Sequence, residues 1–490
     1  SPSSEKVAAT EAPSSAEKAG QPASDATALL TVFETALQDA IAAAEPSIVA
    51  VARVTRQEQE AAMIDPLGMG RSRRSDPSDP EFIPSRYGTG VVIGADGLIL
   101  TNYHVLDDDF ASPEAAGVAA PQIDVFVWTT DHRVFTARIL AADPRSDLAV
   151  LKVDASDLNP IEFAPAEEVD KLRKGTIVVA LGNPYNLARG GSPTAAWGII
   201  SNIQRKAAPS AEKSGELAFP PPTIHHFGSL LQTDAKLTFG TSGGALVNIR
   251  GEMVGLTNAL AALPGSEAAA GYAIPVDSTF RRVVETLREG REPEYGFLGV
   301  KTADLAIEER LTGRSGVRVE DAIGSPARAA RLISGDVITS VNGRPIYDRH
   351  DLMLEIGKLP VEALARLTVR RRDADVDLPP VKLVKFPVVG RKIVSTPSPD
   401  WRGARIDYLT GDPRAMNDFN ALANDGVLVA DVLPDTPAYR AKLRKGVCVT
   451  HVGGRPVHSP REFREAVANV RGGVTLRIYG QAEPVVVPGS

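Results

Sequence analysis

Only one cysteine, Cys448, occurs in the 490 residues. No intrachain disulfide can form, and a zinc site built from paired cysteines is excluded. Positive charge is not in excess either: Lys and Arg number 54 against 61 Asp and Glu, a formal net charge of −7. With no basic stripe along the chain, the electrostatic footprint of a nucleic-acid binder is missing. Long hydrophobic runs are absent as well, since the best candidate, Ile41 to Val54, is broken by Glu45, Pro46 and Arg53, well short of the ~18 apolar residues of a spanning helix. The chain starts at Ser1 with an Ala/Ser/Pro/Glu-rich stretch to about Asp25 that holds no aromatic residue. Residues 1–27 therefore read as a low-complexity tail, and export with removal of a signal segment is the expectation, a shortened chain the alternative. No residue pattern suggests a metal. Gly88-Thr89-Gly90 begins a near match to a dinucleotide fingerprint, but a hairpin follows where a helix is required, so no cofactor is expected.

What is present is ordinary globular material: 43% apolar and 23% charged residues, in a length that suits about three domains. Leu30, Phe33, Leu37 and Ile41 recur at helical spacing and end before Pro46, which predicts an amphipathic helix. Short β-branched runs then follow to about Leu287, among them SIVAVARV, GVVIG, LILTN, IDVFVW, AVLKV, TIVVALG and MVGLTN. Many short strands between Gly, Pro and Asp suggest a barrel or sandwich. The clearest hairpin joins Val91–Ile93 to Leu98–Thr101 through Gly94-Ala95-Asp96-Gly97. Gln57 to Arg86 and Lys206 to Gly228 read as long insertions and candidate regulatory loops. Arg71, Arg73 and Arg74 read as a solvated loop.

The second half repeats itself. GVRVEDAIGSPARAARLISGDVITSVNGRPIYDRHDL matches GVLVADVLPDTPAYRAKLRKGVCVTHVGGRPVHSPREF, pairing Gly335 with Gly446 and Gly343-Arg344-Pro345 with Gly454-Arg455-Pro456. Two copies are tandem domains of about 90 residues rather than a solenoid. The Pro-containing segment from Phe386 to Pro399 reads as the linker between them. Cys448 alternates with Val447 and Val449 in a strand and is expected to be buried and inert.

Hydrolysis by a serine needs a nucleophile, a base, a carboxylate that orients the base and amide donors for the oxyanion. Ser242 lies in Phe239-Gly240-Thr241-Ser242-Gly243-Gly244, where glycines permit a sharp turn that aims several N–H groups at one point. The amides of Gly240 and Ser242 are candidate oxyanion donors. His104 ends the strand Leu98 to His104, from whose edge a side chain can project into a cleft. Asp147 opens the apolar strand Leu148-Ala149-Val150-Leu151, with Asp143 as the runner-up carboxylate. Asp107 to Asp109 lie too close in sequence to turn back on His104.

Taken together, TNYHV, SDLAVLKV, ALGNPY, GIIS, QTDA, GTSGGALV and GYAIP stand in one order, and in that order the chain resembles the HtrA (DegP-type) family of trypsin-fold serine proteases with two C-terminal PDZ domains. The resemblance runs from about Asp39 to Ser490. It implies a mainly β chain, with a chymotrypsin/trypsin-like double β-barrel protease domain over 28–288 and two α+β PDZ domains over 292–388 and 396–490. By position it makes His104 the general base, Asp147 its orienting carboxylate and Ser242 the nucleophile, with Gly240, Thr241 and Ser242 forming the oxyanion hole. Phe239 and Thr241 depart from the family, where proline (or another small or polar residue) and asparagine are usual.

Trypsin-like pockets carry an acid six residues before the nucleophile, and here that position is Lys236, so cleavage after Lys or Arg is disfavoured. Leu237 matches the pocket floor, which implies small or medium apolar residues such as Val, Ala or Ile. Leu256, Thr257 and Asn258 are expected to form the edge along which an extended substrate adds as a strand. In the first repeat Tyr295, Gly296, Phe297, Leu298 and Gly299 resemble the loop that holds a peptide C-terminus, facing a helix with Leu352, Met353 and Ile356. In the second, Trp401-Arg402-Gly403 stands in that place. The resemblance further implies an ATP-independent endopeptidase of envelope quality control, acting on unfolded or misfolded polypeptides and taking C-terminal peptides. It also implies a homotrimer or higher homo-oligomer, with Phe82 and Tyr87 as contacts. Two competing readings are a non-catalytic holdase or adaptor and a signalling protease dedicated to one substrate.

Overall fold

The structure, a computed structural model, describes residues 21–55, 86–106, 123–183, 192–206, 223–258, 271–397, 400–412, 414–415 and 426–489. Residues 1–20, Phe82, Arg71, Arg73, Arg74 and most of the two insertions lie outside the described residues.

Six antiparallel strands form the first barrel: β1 (Ile48–Thr55), β2 (Arg86–Gly94), β3 (Leu98–Asn102), β4 (Ile123–Trp128), β5 (Val134–Asp143) and β6 (Leu148–Lys152), in the order β5-β4-β1-β2-β3-β6, with β5 pairing β6 to close it. A second closed barrel has the order β10-β11-β12-β9-β8-β7, from β7 (Ile177–Gly182), β8 (Thr194–Arg205), β9 (Leu230–Thr233), β10 (Ala245–Val247), β11 (Met253–Asn258) and β12 (Gly271–Pro275). The expected β2–β3 hairpin is found, with Val91 opposite Leu100 and Val92 opposite Ile99.

Alternation along each strand explains the double-barrel arrangement. Val49, Val51, Val92, Ile99 and Leu151 fill the first barrel, while Ile48, Val91, Leu98, Leu100 and Val150 point the other way and pack with Val179, Leu181 and Ala245 of the second. Both faces of β3 are thus buried, which is why its apolar run is continuous rather than alternating with polar residues.

The N-terminal helix spans Gln21–Ala44, starting inside the expected tail because its Ala-rich sequence favours helix and Pro22 falls in the first turn, where no N–H is needed. Leu37 and Ile41 pack on the core, and Leu29, Leu30 and Val32 are exposed. A second helix, Ser278–Arg288, is capped by Asp277, whose carboxylate accepts the Phe280 N–H at 2.9 Å. Its Phe280, Val283, Val284 and Leu287 are buried at helical spacing.

Each repeat builds a small α+β domain. Five strands run Lys301–Asp304, Val317–Asp321, Val337–Val341, Leu367–Arg371 and Ala374–Asp377 in the first, and Ala404–Tyr408, Val427–Val432, Cys448–Val452, Val474–Ile478 and Val485–Val487 in the second. Helices Arg349–Gly357 and Pro460–Val467 cover them. The segment between the repeats does not run free. Phe386 and Val388 join the protease core, and Ile393–Val394 pairs with β5 as an extra strand, Ile393 opposite Ala142 and Val394 opposite Ala141. Its apolar residues find an unoccupied sheet edge, and pairing satisfies backbone groups that would otherwise be left unpaired.

Candidate active site

His104 sits in the four-residue helix Tyr103–Leu106 that follows β3 directly. Asp147 closes the turn between β5 and β6 with φ of 56°, a left-handed conformation that a non-glycine residue adopts only when its surroundings enforce it. The enforcement is visible. The Asp147 carbonyl accepts Tyr103 N–H at 3.0 Å and Asn102 Nδ2 at 3.1 Å, tying the turn to the end of β3. The carboxylate is thereby aimed at His104: Nδ1 of the imidazole lies 2.8 Å from Oδ2 and 3.0 Å from Oδ1, and the His104 backbone N–H donates to Oδ1 at 3.0 Å. Asn258 Nδ2 donates to Oδ2 at 2.9 Å from β11. These donors fix the imidazole with its proton on Nδ1, leaving Nε2, which is buried without a hydrogen-bond partner, as the basic face. Asp143, four residues earlier, is turned away from His104 and accepts from Ser146 instead.

Ser242 lies on the turn before β10, between the two barrels. Its carbonyl accepts Thr89 N–H from β2 at 2.8 Å, the Gly240 carbonyl accepts Thr89 Oγ1 at 2.9 Å and the Thr241 carbonyl accepts Thr257 Oγ1 at 2.6 Å. Gly243 N–H donates to Thr257 O at 2.9 Å. Because a trans peptide sets its C=O and N–H in opposite directions, the bond from Thr241 O to Thr257 turns the Ser242 N–H away from β11. The Thr241 N–H donates to Thr238 O at 3.1 Å. That bond occupies the Thr241 N–H, one of the expected oxyanion donors.

The family models for a trypsin-like peptidase domain and for a PDZ domain match residues 88–256 and 296–379. The probable periplasmic serine endoprotease DegP-like of Rhizobium meliloti (strain 1021) is 30% identical over 413 residues, covering 82% of this chain and 74% of that protein. The periplasmic serine endoprotease DegP of Salmonella typhimurium (strain LT2) is 29% identical over 386 residues, 77% of this chain and 71% of that one. The chain belongs to the DegP/HtrA family. It is a serine-type endopeptidase. Among solved structures, the HtrA-type protease AlgW with tripeptide shares the fold at 24% identity and a TM-score of 0.50, covering 72% of this chain and 97% of that one. No helix among the described residues is long and apolar enough to cross a membrane.

Other expected positions in this DegP/HtrA chain divide. Lys236 is exposed. Leu237 is half-buried against Gly271, where an added Cβ would come within 2.9 Å of Leu237 Cδ1, so glycine there lets the leucine pack directly on the backbone of β12. Leu256, Thr257 and Asn258 lie on β11, and all three pair with β12. On the other side Leu256 pairs with Ala245 of β10 and the Thr257 backbone bonds Gly243 and Gly244, while the Asn258 side chain serves Asp147. Phe239 is 67% exposed and meets Tyr87 edge to face at 5.3 Å.

In the first repeat Gly296, Phe297, Leu298 and Gly299 line a groove of about 670 Å3 with Leu352, Met353 and Ile356. Tyr295 does not line it. Its side chain is 1% exposed and its hydroxyl donates to Asp143 of the protease domain. In the second repeat Arg402 holds the Trp401–Gly403 turn to the carbonyls of Val470, Gly472, Val487 and Pro488. Cys448 is buried, and burial pushes its thiol up to about 11, which makes it a poor nucleophile.

Several contributors carried no sequence signal. Thr89 stands 151 residues from Gly240 and Asn258 stands 111 from Asp147, separations that no local pattern reports. His225, expected only as part of an insertion, is buried. Its Nε2–H donates to Ser146 O at 2.8 Å and its Nδ1 accepts from Ser229 Oγ at 2.7 Å, and burial lowers its pKa to about 4.

Proposed function

We propose that Ser242 is the nucleophile of this endopeptidase, His104 its general base and Asp147 the carboxylate that orients and balances the imidazole. The observation that carries this reading is the imidazole held at Nδ1 by Asp147 with Nε2 bare on its other side. In the reaction Nε2 takes the Ser242 hydroxyl proton as Oγ attacks the peptide carbonyl. The amides of Gly240 and Ser242 donate to the developing oxyanion, a contribution that reaches ~3 kcal/mol per donor in related chemistry. Nε2 then returns the proton to the leaving amine, and water hydrolyses the acyl-enzyme by the same route. Peptide hydrolysis is downhill, so no nucleotide is consumed.

The substrates we assign are unfolded or misfolded polypeptides, cut after small or medium apolar residues. Half-buried Leu237 beside Gly271 and the absence of an acid at Lys236 support that preference. The first repeat takes apolar C-terminal peptides in the groove beside Gly296–Gly299 and adjusts the protease accordingly. Export to the periplasm or cell envelope and assembly into a homotrimer or larger homo-oligomer complete the proposal, in line with relatives named as periplasmic endoproteases.

The test is degradation of casein by the wild type and by Ser242→Ala, with and without an apolar C-terminal peptide. Cleavage by the wild type alone and stimulation by the peptide are expected. Equal cleavage by Ser242→Ala would overturn the nucleophile assignment, and casein bound but never cut would favour a holdase.

A further inference from the structure

The turn that presents Asp147 is not held by the protease barrel alone. Asp143, its first residue, is 1% exposed. Its carboxylate accepts Ser146 N–H at 2.9 Å and Ser146 Oγ at 2.6 Å, and these bonds shape the residues leading into the strained Asp147. Arg145 N–H adds a longer bond to the other oxygen at 3.4 Å, and one more donor comes from outside the barrel: the Tyr295 hydroxyl, on the residue just before the strand Gly296–Phe297 of the first repeat. Tyr295 O in turn accepts Phe386 N–H at 2.8 Å, where the chain leaves that repeat.

The rest of the turn is seated on the same departing segment. Arg145 is fully buried with its guanidinium 4.0 Å from the centre of the Phe386 ring, and both side chains also line the peptide groove. Gly390 lies against Pro144, close enough that an added Cβ would come to 3.0 Å. Tyr103, beside His104, donates its hydroxyl to Arg391 O at 3.0 Å. The beginning and the end of the first repeat thus grip the loop that orients the imidazole.

We propose that Tyr295 is a positioning residue for catalysis: acting through Asp143, its hydroxyl holds the Asp147 turn in register, so that the seat of the first PDZ domain is part of the active site. This rests on the assignment of Asp147 as the orienting carboxylate. A buried hydroxyl-to-carboxylate bond is among the stronger hydrogen bonds, and its loss leaves Asp143 short of a donor in a place water does not reach. Relaxation of the turn then moves Asp147 relative to His104, and an ångström of misplacement is expensive in rate.

The experiment uses the full chain and labelled casein, with three single variants and one double. Tyr295→Phe keeps the buried ring and removes only the oxygen; it is expected to lower kcat about tenfold with KM within twofold and to slow fluorophosphonate labelling of Ser242 in parallel. Asp143→Asn is expected to do the same. Because the two act as one unit, the double variant should be no slower than the worse single one. Thermal melting should move by only a few degrees. An unchanged kcat in Tyr295→Phe, multiplying effects in the double variant, or a loss that follows melting alone would overturn the proposal while leaving the triad intact. Asp147→Asn separates the two readings: inactivity upholds the triad, and full activity removes both it and this inference.

Discussion

Asn258 Nδ2 donates to Asp147 Oδ2 at 2.9 Å across the interface between the barrels. The first barrel contributes the carboxylate and the second restrains it, so the His104–Asp147 pair depends on the two barrels remaining docked. Asp147 carries three donors from His104 and Asn258 on its two oxygens, and only the one from Asn258 comes from the far barrel.

Removing that donor should be felt in kcat. A hydrogen bond to a charged group contributes about 1.5–3 kcal/mol, so Asn258→Ala is expected to lower kcat roughly 10- to 100-fold with little change in KM. Steady-state kinetics on a casein fragment check this. A variant as fast as the wild type would mean that the His104 contacts alone suffice to place the carboxylate.

Gly243 has a φ of 85°, and a Cβ there would stand 2.1 Å from Thr89 O, a backbone atom of β2. Left-handed strain of about 1–3 kcal/mol adds to a clash that no side-chain rotation can relieve. Gly243→Ala should therefore open the turn that carries Ser242, lowering both fluorophosphonate labelling and the melting temperature. Labelling at the wild-type rate would show that the turn tolerates displacement from β2.

His225 makes stability depend on pH. In the folded chain burial depresses its pKa to about 4, against an ordinary value of 6.5. Between those values the unfolded imidazole binds a proton that the folded one does not. Stability from this group is therefore full above about 6.5 and is lost as pH falls towards 4, by up to about 3 kcal/mol for a shift of this size. Urea midpoints at pH 7 and pH 5 should fall further apart in the wild type than in His225→Asn. Equal differences would remove His225 as the source.

Lys385 is 2% exposed and ties the first repeat to the second. Its ammonium lies 3.1 Å from Glu292, 3.2 Å from Glu294 and 2.9 Å from Asp407 of the second repeat, and these carboxylates keep it charged despite burial. Breaking one side of a buried ion cluster typically costs about 3–5 kcal/mol. In Lys385→Met the second repeat should undock, giving a separate, lower transition in calorimetry and earlier proteolysis near Thr396. A single unchanged transition would show that the bond from the Thr410 hydroxyl to Lys385 O, at 2.7 Å, holds the repeat in place without the charge.

Much of this molecule was legible in the sequence. Strand-length β-branched runs pointed to a barrel or sandwich, the hairpin through Gly94–Gly97 lies where it was expected, and the matched segments around Gly335 and Gly446 marked the duplicated domain. His104 and the Gly240–Gly244 turn were legible for the same reason: each is a local feature, a strand end or a glycine run, whose backbone preference is set by nearest neighbours.

What the sequence could not decide was which groups separated by many residues would meet. Asp143 and Asp147 share one turn and one residue type. Only the positive φ at Asp147, enforced by Tyr103 and Asn102, turns one carboxylate to the imidazole and the other to Tyr295. Leu256 to Asn258 read only as an edge for substrate, yet they are buried, and the side chains of Thr257 and Asn258 hold the Ser242 turn and Asp147. The stretch after Phe386 read as a linker, and the free edge of β5 made it a strand. By itself the sequence determined periodicity, turns and chemical repertoire, because these depend on short-range sterics. The tertiary structure decided partnership, because pairing across 43 or 111 residues exists only once two barrels close and dock.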